Sequence, residues 1–188
     1  ALVLMAAMLW GTTGTAQSLA PATLSPYWVG ALRLVIASGF FALLALGAPA
    51  RSGAWHWPPM LLAGACIAVY NLSFFAGVRA TGVALGTAIA IGSGPIWAGL
   101  LQTLLTRRLP APLWWLGPLV SVAGAVAMAL GQGGGSKLQA GVVALCLLAG
   151  LCYAAYTLAN KRLVLTLGPV RTNLLVFAGA ALISLPMA

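Results

Sequence analysis

Residues 140–169 read AGVVALCLLAGLCYAAYTLANKRLVLTLGP. The run from Ala140 to Asn160 carries no charge, and it is as long as the ~20 apolar residues that a helix needs to cross a bilayer. Lys161 and Arg162 close it. Further on, Gly168 and Pro169 break any continuing helix, the glycine through its backbone freedom and the proline through its missing donor.

The same alternation of long apolar runs and short breaks fills the chain. Its 188 residues hold nine Lys or Arg, no Asp or Glu, and 62% hydrophobic residues. The mean hydropathy is +1.06. An ordinary soluble domain of this length would carry roughly 45 charges of both signs. Carboxylate-pair hydrolysis, an Asp-anchored triad and a carboxylate cage for Mg²⁺ or Ca²⁺ all require side chains that are absent. The basic residues stand singly between apolar runs instead of forming the patch of a nucleic-acid binder. Disorder is excluded by the hydrophobicity. Cys66, Cys146 and Cys152 lie inside apolar runs without a CxxC pair, so they read as small buried side chains and not as a disulfide or zinc set.

The expected fold class is an all-α integral membrane protein with seven transmembrane helices. The expected spans are Ala1 to Ala20, Trp28 to Gly47, Met60 to Val78, Val83 to Thr106, Leu113 to Leu130, Ala140 to Asn160, and a seventh from about Thr172. Short loops favour antiparallel neighbours. Alternating ten-residue strands of a β-barrel are not seen. The chain opens on Ala1 without a positive n-region or a cleavage pattern, so no signal peptide is expected, and it ends inside the seventh span, as a fragment would.

Loop charges set the expected orientation. Arg51, Arg107, Arg108, Lys161, Arg162 and Arg171 follow helices 2, 4 and 6, whereas Arg79 and Lys137 follow helices 3 and 5. The positive-inside rule then puts the first set, and the N terminus, in the cytoplasm. Trp55, Trp57, Trp114 and Trp115 fall near span ends and read as interface anchors, and His56 reads as an interfacial loop residue.

The segment 131–139 begins with a glycine-rich linker and separates the five helices of residues 1–130 from residues 140–188. Five is odd, so a second five-helix unit would be inserted upside down. Sliding the later part onto the start by 143 residues pairs Leu24, Ser25 and Pro26 with Leu167, Gly168 and Pro169. The same shift pairs Trp10, Thr13, Gly14 and Gln17 with Tyr153, Tyr156, Thr157 and Asn160, which is the i, i+3, i+4, i+7 pattern of one helical face. The loop after helix 1 has no basic residue while its counterpart after helix 6 has three, as inverted copies require. Inverted repeats around a site near the midplane mark secondary transporters.

Leu9, Trp10 and Gly11, then Leu24, Ser25 and Pro26, then Ala31, Leu32 and Arg33 resemble the opening of the drug/metabolite transporter superfamily in its EamA-domain branch. Tyr70, Asn71, Phe74, Phe75 and Ala76, an Ala-rich helix 4 with Pro95, and Tyr153 extend the resemblance. It implies ten helices in two inverted five-helix repeats, both termini cytoplasmic, in a bacterial-type inner membrane. It also implies a cavity lined by helices 1 to 4 and their mates, with helix 5 peripheral. The chain would then hold the first repeat and the start of a truncated second one. The position that matches Arg33 in the second copy is Val176, a departure from strict duplication.

The expected substrate-binding residues are Trp10, Thr13, Gln17, Arg33, Tyr70, Asn71, Phe74, Ser93, Pro95, Tyr153, Tyr156 and Asn160. Arg33 is the one charge within a span. It fits two readings, a side chain snorkelling to the outer headgroups or a cavity cation for an anionic or zwitterionic solute. Pro95, in the run Gly92, Ser93, Gly94, Pro95, withdraws a backbone bond from Ile91 and points to a hinge or site, although such kinks also serve packing. Tyr70, Asn71 and Phe74 supply a phenol, an amide and an aromatic face, as pockets for small solutes do, or an interhelical core. Two small-residue faces, Gly82, Gly86, Ala90, Gly94 and Ala98 on helix 4 and Gly117, Ser121, Ala125 and Ala129 on helix 5, read as packing surfaces.

The function expected is transport of small metabolites by alternating access around helices 1, 3, 4 and 6, with efflux of amino acids, related compounds or drugs. Not an enzyme, it would need no cofactor or metal; its partners are the solute and the bilayer, with no nucleic acid and a homodimer undecided. The alternatives are a membrane-embedded enzyme, for which no base lies near Ser93, and a seven-helix receptor, which in its retinal form needs an intramembrane Lys. No buried His, Asp or Glu offers itself as a proton carrier.

Overall fold

The computed structural model describes residues 2–19, 21, 23–48, 57–131 and 139–188. Expectations concerning Arg51, Trp55, His56, Lys137 and the linker from Gln132 lie outside these residues. Among the described residues the chain forms seven α-helices and no strand. They are α1 (Leu2–Leu19), α2 (Pro26–Gly47), α3 (Trp57–Thr81), α4 (Val83–Thr106), α5 (Leu116–Gly131), α6 (Ala140–Leu167) and α7 (Pro169–Ser184). A 3₁₀ turn, Pro112–Trp115, leads into α5 and another, Leu185–Met187, follows α7.

Five of these are long and apolar enough to cross a membrane: α2, α3, α4, α6, and α7 with its following turn. The α5 region is a shorter apolar helix, and α1 carries Thr12, Thr13, Thr15, Gln17 and Ser18 in its second half, which dilutes its hydropathy. The outward faces are nonetheless apolar throughout, with Leu43, Leu46, Leu104, Val120, Leu165 and Leu182 all at least 70% exposed. Water does not tolerate so much contiguous apolar surface, and a bilayer covers it.

Two helices run past the expected ends. The α6 helix continues through Lys161 and Arg162 to Leu167, because both residues are good helix formers whose charged heads can reach outward while their stems stay on the helix. Its 28 residues span about 42 Å, more than the ~30 Å hydrocarbon core. The stop is Gly168, at φ 79° and ψ 161°, followed by Pro169, whose fixed φ suits a first helical turn. In the same way α3 runs through Arg79 to Thr81, and Gly82 at φ 91° turns it directly into α4. Expected loops thus shrink to single glycines.

The α2 helix starts at Pro26, two residues before the expected edge, because Ser25 caps it: the Ser25 Oγ accepts from the Tyr27 amide at 3.2 Å. Arg79 also has a structural use here. Its Nη1 donates to the Leu24 carbonyl at 2.8 Å and ties the end of α3 to the turn before α2.

The α6 helix packs on α3 and α4, α2 packs on α7, and α7 also meets α3. The shared core holds Leu34, Ile67, Phe75, Val78, Leu163 and Val176. Close approach depends on the small-residue face of α4. A Cβ on Gly86 would stand 2.9 Å from the Val78 Cα, and one on Gly94 would touch the Tyr153 ring at 3.9 Å. Ser121 of the α5 stripe sits against Gly92, which lies off the α4 stripe, 2.6 Å from where a Cβ would stand. The α2 and α7 helices, which start at positions paired by the 143-residue shift, are therefore direct neighbours.

Candidate functional site

A cavity of about 250 Å³ opens between α2, α3, α6 and α7. Arg33, Leu34 and Ala37 of α2 form one side, and Ile67, Tyr70 and Asn71 of α3 the next. Tyr153 and Tyr156 of α6 and Phe177 of α7 complete it. Tyr70 and Tyr153 fall near the middle of the 25-residue α3 and the 28-residue α6, so the cavity sits at mid-height of both.

Aromatic rings form its wall. Tyr70 lies 5.4 Å from Tyr153, and Tyr153 lies 6.2 Å from Tyr156, centroid to centroid. Behind them Phe74 stacks on Tyr70 at 5.5 Å and meets Phe75 edge-on at 5.4 Å. The Arg33 guanidinium stands 6.0 Å over the Phe75 ring, at the outer limit of a cation–π contact. This chain of rings links α2, α3 and α6. Glycine makes room for it, since a Cβ on Gly30 would press on the Phe75 ring at 3.2 Å.

The polar groups are few and specific. Asn71 is buried, and its Nδ2 donates to the Ile67 carbonyl one turn back at 3.0 Å. That bond fixes the amide's orientation, because reversing it would set two acceptors face to face. The Asn71 Oδ1 accepts from no group among the described residues. At the other end Asn160 Nδ2 donates to the Tyr156 Oη at 3.1 Å, which leaves the Tyr156 hydrogen available to a solute acceptor. Asn160→Ala is expected to lower stability by about 0.6 kcal/mol, the mean for membrane side-chain hydrogen bonds, which thermal melting of the full-length protein checks.

Five of the sequence-derived candidates converge here: Arg33, Tyr70, Asn71, Tyr153 and Tyr156. Phe74 and Asn160 act one layer behind through Tyr70 and Tyr156. Ser93 points elsewhere: its Oγ donates to the Ala90 carbonyl at 3.1 Å, and it lines a separate, largely apolar cavity of about 240 Å³ between α4, α5 and α6. Pro95 is exposed within an α4 that stays helical on both sides of it. Thr13 sits half-buried on α1, whose main contact among the described residues is with α4, and it is not among the described residues that line the 250 Å³ cavity. The side chains of Trp10 and Gln17 lie outside the described residues. The described lining thus comes from α2, α3, α6 and α7, and shares helices 3 and 6 with the expected set of helices 1, 3, 4 and 6. Phe177 was missed, yet the 143-residue shift pairs it with Leu34, and both line the cavity. Among the described residues no three His, Cys, Asp or Glu side chains converge on a metal position.

A model of the EamA-like transporter family matches residues 1–130. The chain belongs to that family. As a member of the EamA-like transporter family it is an integral membrane protein, and the family points to transport rather than to an enzymatic reaction. It is 38% identical over 187 residues to the "Uncharacterized transporter YwfM" of Bacillus subtilis, covering 98% of this chain and 62% of that protein. It is 32% identical over 121 residues to the "Uncharacterized transporter sll0355" of Synechocystis sp., covering 62% of this chain and 36% of that protein. The chain therefore spans less than two thirds of either relative. No solved structure matches it.

Proposed function

We propose that this chain is the larger part of an alternating-access transporter that moves small metabolites across the inner membrane, with amino acids and related compounds as the first class to test and export as the direction. The observation that carries the reading is the mid-height cavity between α2 and α7, helices that the 143-residue shift pairs, with polar groups set in an aromatic wall. Cavities at the junction of inverted repeats are where rocking bundles expose a solute first to one side and then to the other.

In this reading residues 1–130 are the first repeat and residues 140–188 open the second, inverted one, of a ten-helix whole with a cytoplasmic N terminus. The packing supports it. The α6 helix lies on α3 and α4. A two-fold relation would lay its mate α1 on the counterparts of α3 and α4, which would follow Ala188. Leu4, Met8 and Leu9 of α1 are at least 65% exposed, the surface such helices would cover. Flux through proteoliposomes containing the full-length protein tests the function. Saturable transport of at least one class is expected from a panel of amino acids, sugars and amphiphilic drugs, and none at all would sink the reading.

A further inference from the structure

We infer that one end of the bundle is a docking surface for anionic phospholipid, whose phosphate is held between the last turn of α4 and the end of α6. Arg107, Arg108, Lys161 and Arg162 are all exposed there. Glycine contacts show that α4 and α6 run in the same direction. A Cβ on Gly150 would stand 2.7 Å from the Ala90 carbonyl oxygen, and one on Gly94 would touch the Tyr153 ring at 3.9 Å. Gly94 and Tyr153 are each near the middle of their helix. From that level Arg107 lies 13 residues on, and Lys161 and Arg162 lie eight and nine residues on. At 1.5 Å per residue these are depths of about 20 Å for Arg107 and about 12–14 Å for the α6 pair. They bracket the edge of a ~30 Å hydrocarbon core, which lies about 15 Å from its midplane, so the four cations straddle the phosphate level. Packed helices lie ~8–10 Å apart, a gap that side chains as long as Arg and Lys close around one headgroup. Among the described residues the opposite end of the bundle carries Arg79 alone, whose guanidinium already donates to the Leu24 carbonyl.

Three features make this more than the loop charge that sets topology. Lys161 and Arg162 stand within α6, and Arg107 and Arg108 stand on an ordered turn: the Arg107 amide donates to the Thr103 carbonyl at 2.7 Å and the Arg108 amide to the Thr106 Oγ1 at 3.3 Å. Arg107 has φ 54°, the one positive value outside glycine among the described residues, so an arginine is kept where glycine would end the helix without strain. The chain also has no Asp or Glu at any of its 188 positions. A choline or ethanolamine headgroup would bring an ammonium that meets four cations and no carboxylate, whereas a glycerol headgroup leaves the phosphate charge alone, and guanidinium forks take two phosphate oxygens at once. Finally, Leu104, Leu105, Leu109, Leu113 and Leu165 surround the cations and are each at least 70% exposed. Leucine interleaved with arginine suits a ligand with acyl chains below its phosphate and is wasted on a soluble anion.

The test uses the full-length protein in mixed micelles, with dioleoylphosphatidylglycerol and dioleoylphosphatidylcholine as probes and native mass spectrometry to count the lipid retained. One Lys or Arg at an anionic membrane surface is worth about fivefold, so a phosphate held by two should favour phosphatidylglycerol by about tenfold to thirtyfold at low salt. The preference should shrink toward equality in 0.5 M salt. Arg107→Gln with Arg108→Gln, and Lys161→Gln with Arg162→Gln, should each leave an intermediate preference, and the four changes together should erase it. Arg107→Lys, Arg108→Lys and Arg162→Lys combined keep the charge and should keep the preference. Glycerol 3-phosphate and inorganic phosphate at millimolar concentration should not displace the lipid. Equal retention of the two lipids by the unaltered protein, a preference that survives the fourfold change, or displacement by either soluble phosphate would each overturn the inference. The comparison of lipids on the unaltered protein decides the matter even where the fourfold variant fails to fold. No solute is involved, so the outcome is read separately from the transport reading.

Discussion

Asn71→Leu is expected to leave the protein at least as stable as before and to cost most of its affinity for solute. Two effects decide the sign for folding. The substitution removes a buried amide oxygen that no described group satisfies, and it replaces a modest helix former by a good one with the same branching, if a larger volume. The lost bond from Nδ2 to the Ile67 carbonyl is small beside these, since that carbonyl sits within the helix ladder of α3. A net gain of about 0–2 kcal/mol follows from the modest worth of membrane hydrogen bonds set against the cost of an unpaired one. Binding moves the other way. Asn71 lines the cavity, and an apolar branch in place of its amide is expected to cost about tenfold in KM. Thermal melting and flux kinetics of the full-length variant give both signs. A drop in Tm with unchanged KM would show that Asn71 is a packing residue and nothing more.

Particular residues show how far the sequence reaches. Apolar runs, one of them holding Arg33, placed the seven helices, of which five are long and apolar enough to cross a membrane. Two helix ends were read too early where a basic residue was taken for a boundary, whereas the end of α4 before Arg107 was read correctly. Lys161, Arg162 and Arg79 extend their helices, and the turns are made by Gly168 and Gly82, which alone tolerate φ of 79° and 91°. The polar and aromatic positions of α3 and α6 were legible because spacing puts them on one face. Which helices close the cavity was not, because that depends on how faces meet. Arg33 on α2 admitted two readings until Phe75 and Ala37 were placed beside it. The repeat held a usable signal for Phe177, the mate of Leu34, in the shift that already paired Trp10 with Tyr153.

Gly150→Ala, a single added methyl group, is expected to be among the most damaging changes in the chain. The Cβ would overlap the Ser93 Oγ and stand 2.7 Å from the Ala90 carbonyl oxygen and 3.3 Å from the Trp97 ring. Serine could rotate away, but the Ala90 carbonyl is backbone and cannot, so α6 must move off α4. Overpacking of this kind costs about 1–3 kcal/mol, or roughly 2–4 °C of Tm per kcal/mol in a protein of this size. Gly124→Ala is the control, because nothing lies within 4 Å of its Cβ position and alanine favours the helix by up to ~1 kcal/mol. Gly77→Ala falls between them. Its Cβ would meet the Cys146 Sγ at 2.6 Å, so pairing it with Cys146→Ala should restore stability, whereas Ser93→Ala should not rescue Gly150→Ala. Melting of the full-length variants separates these outcomes. Equal Tm values for Gly150→Ala and Gly124→Ala would mean that the α4–α6 crossing can yield. If it cannot, the cost extends to transport, for Tyr153 and Tyr156 follow Gly150 by one and two turns on α6, and any shift at the crossing moves the cavity wall with it.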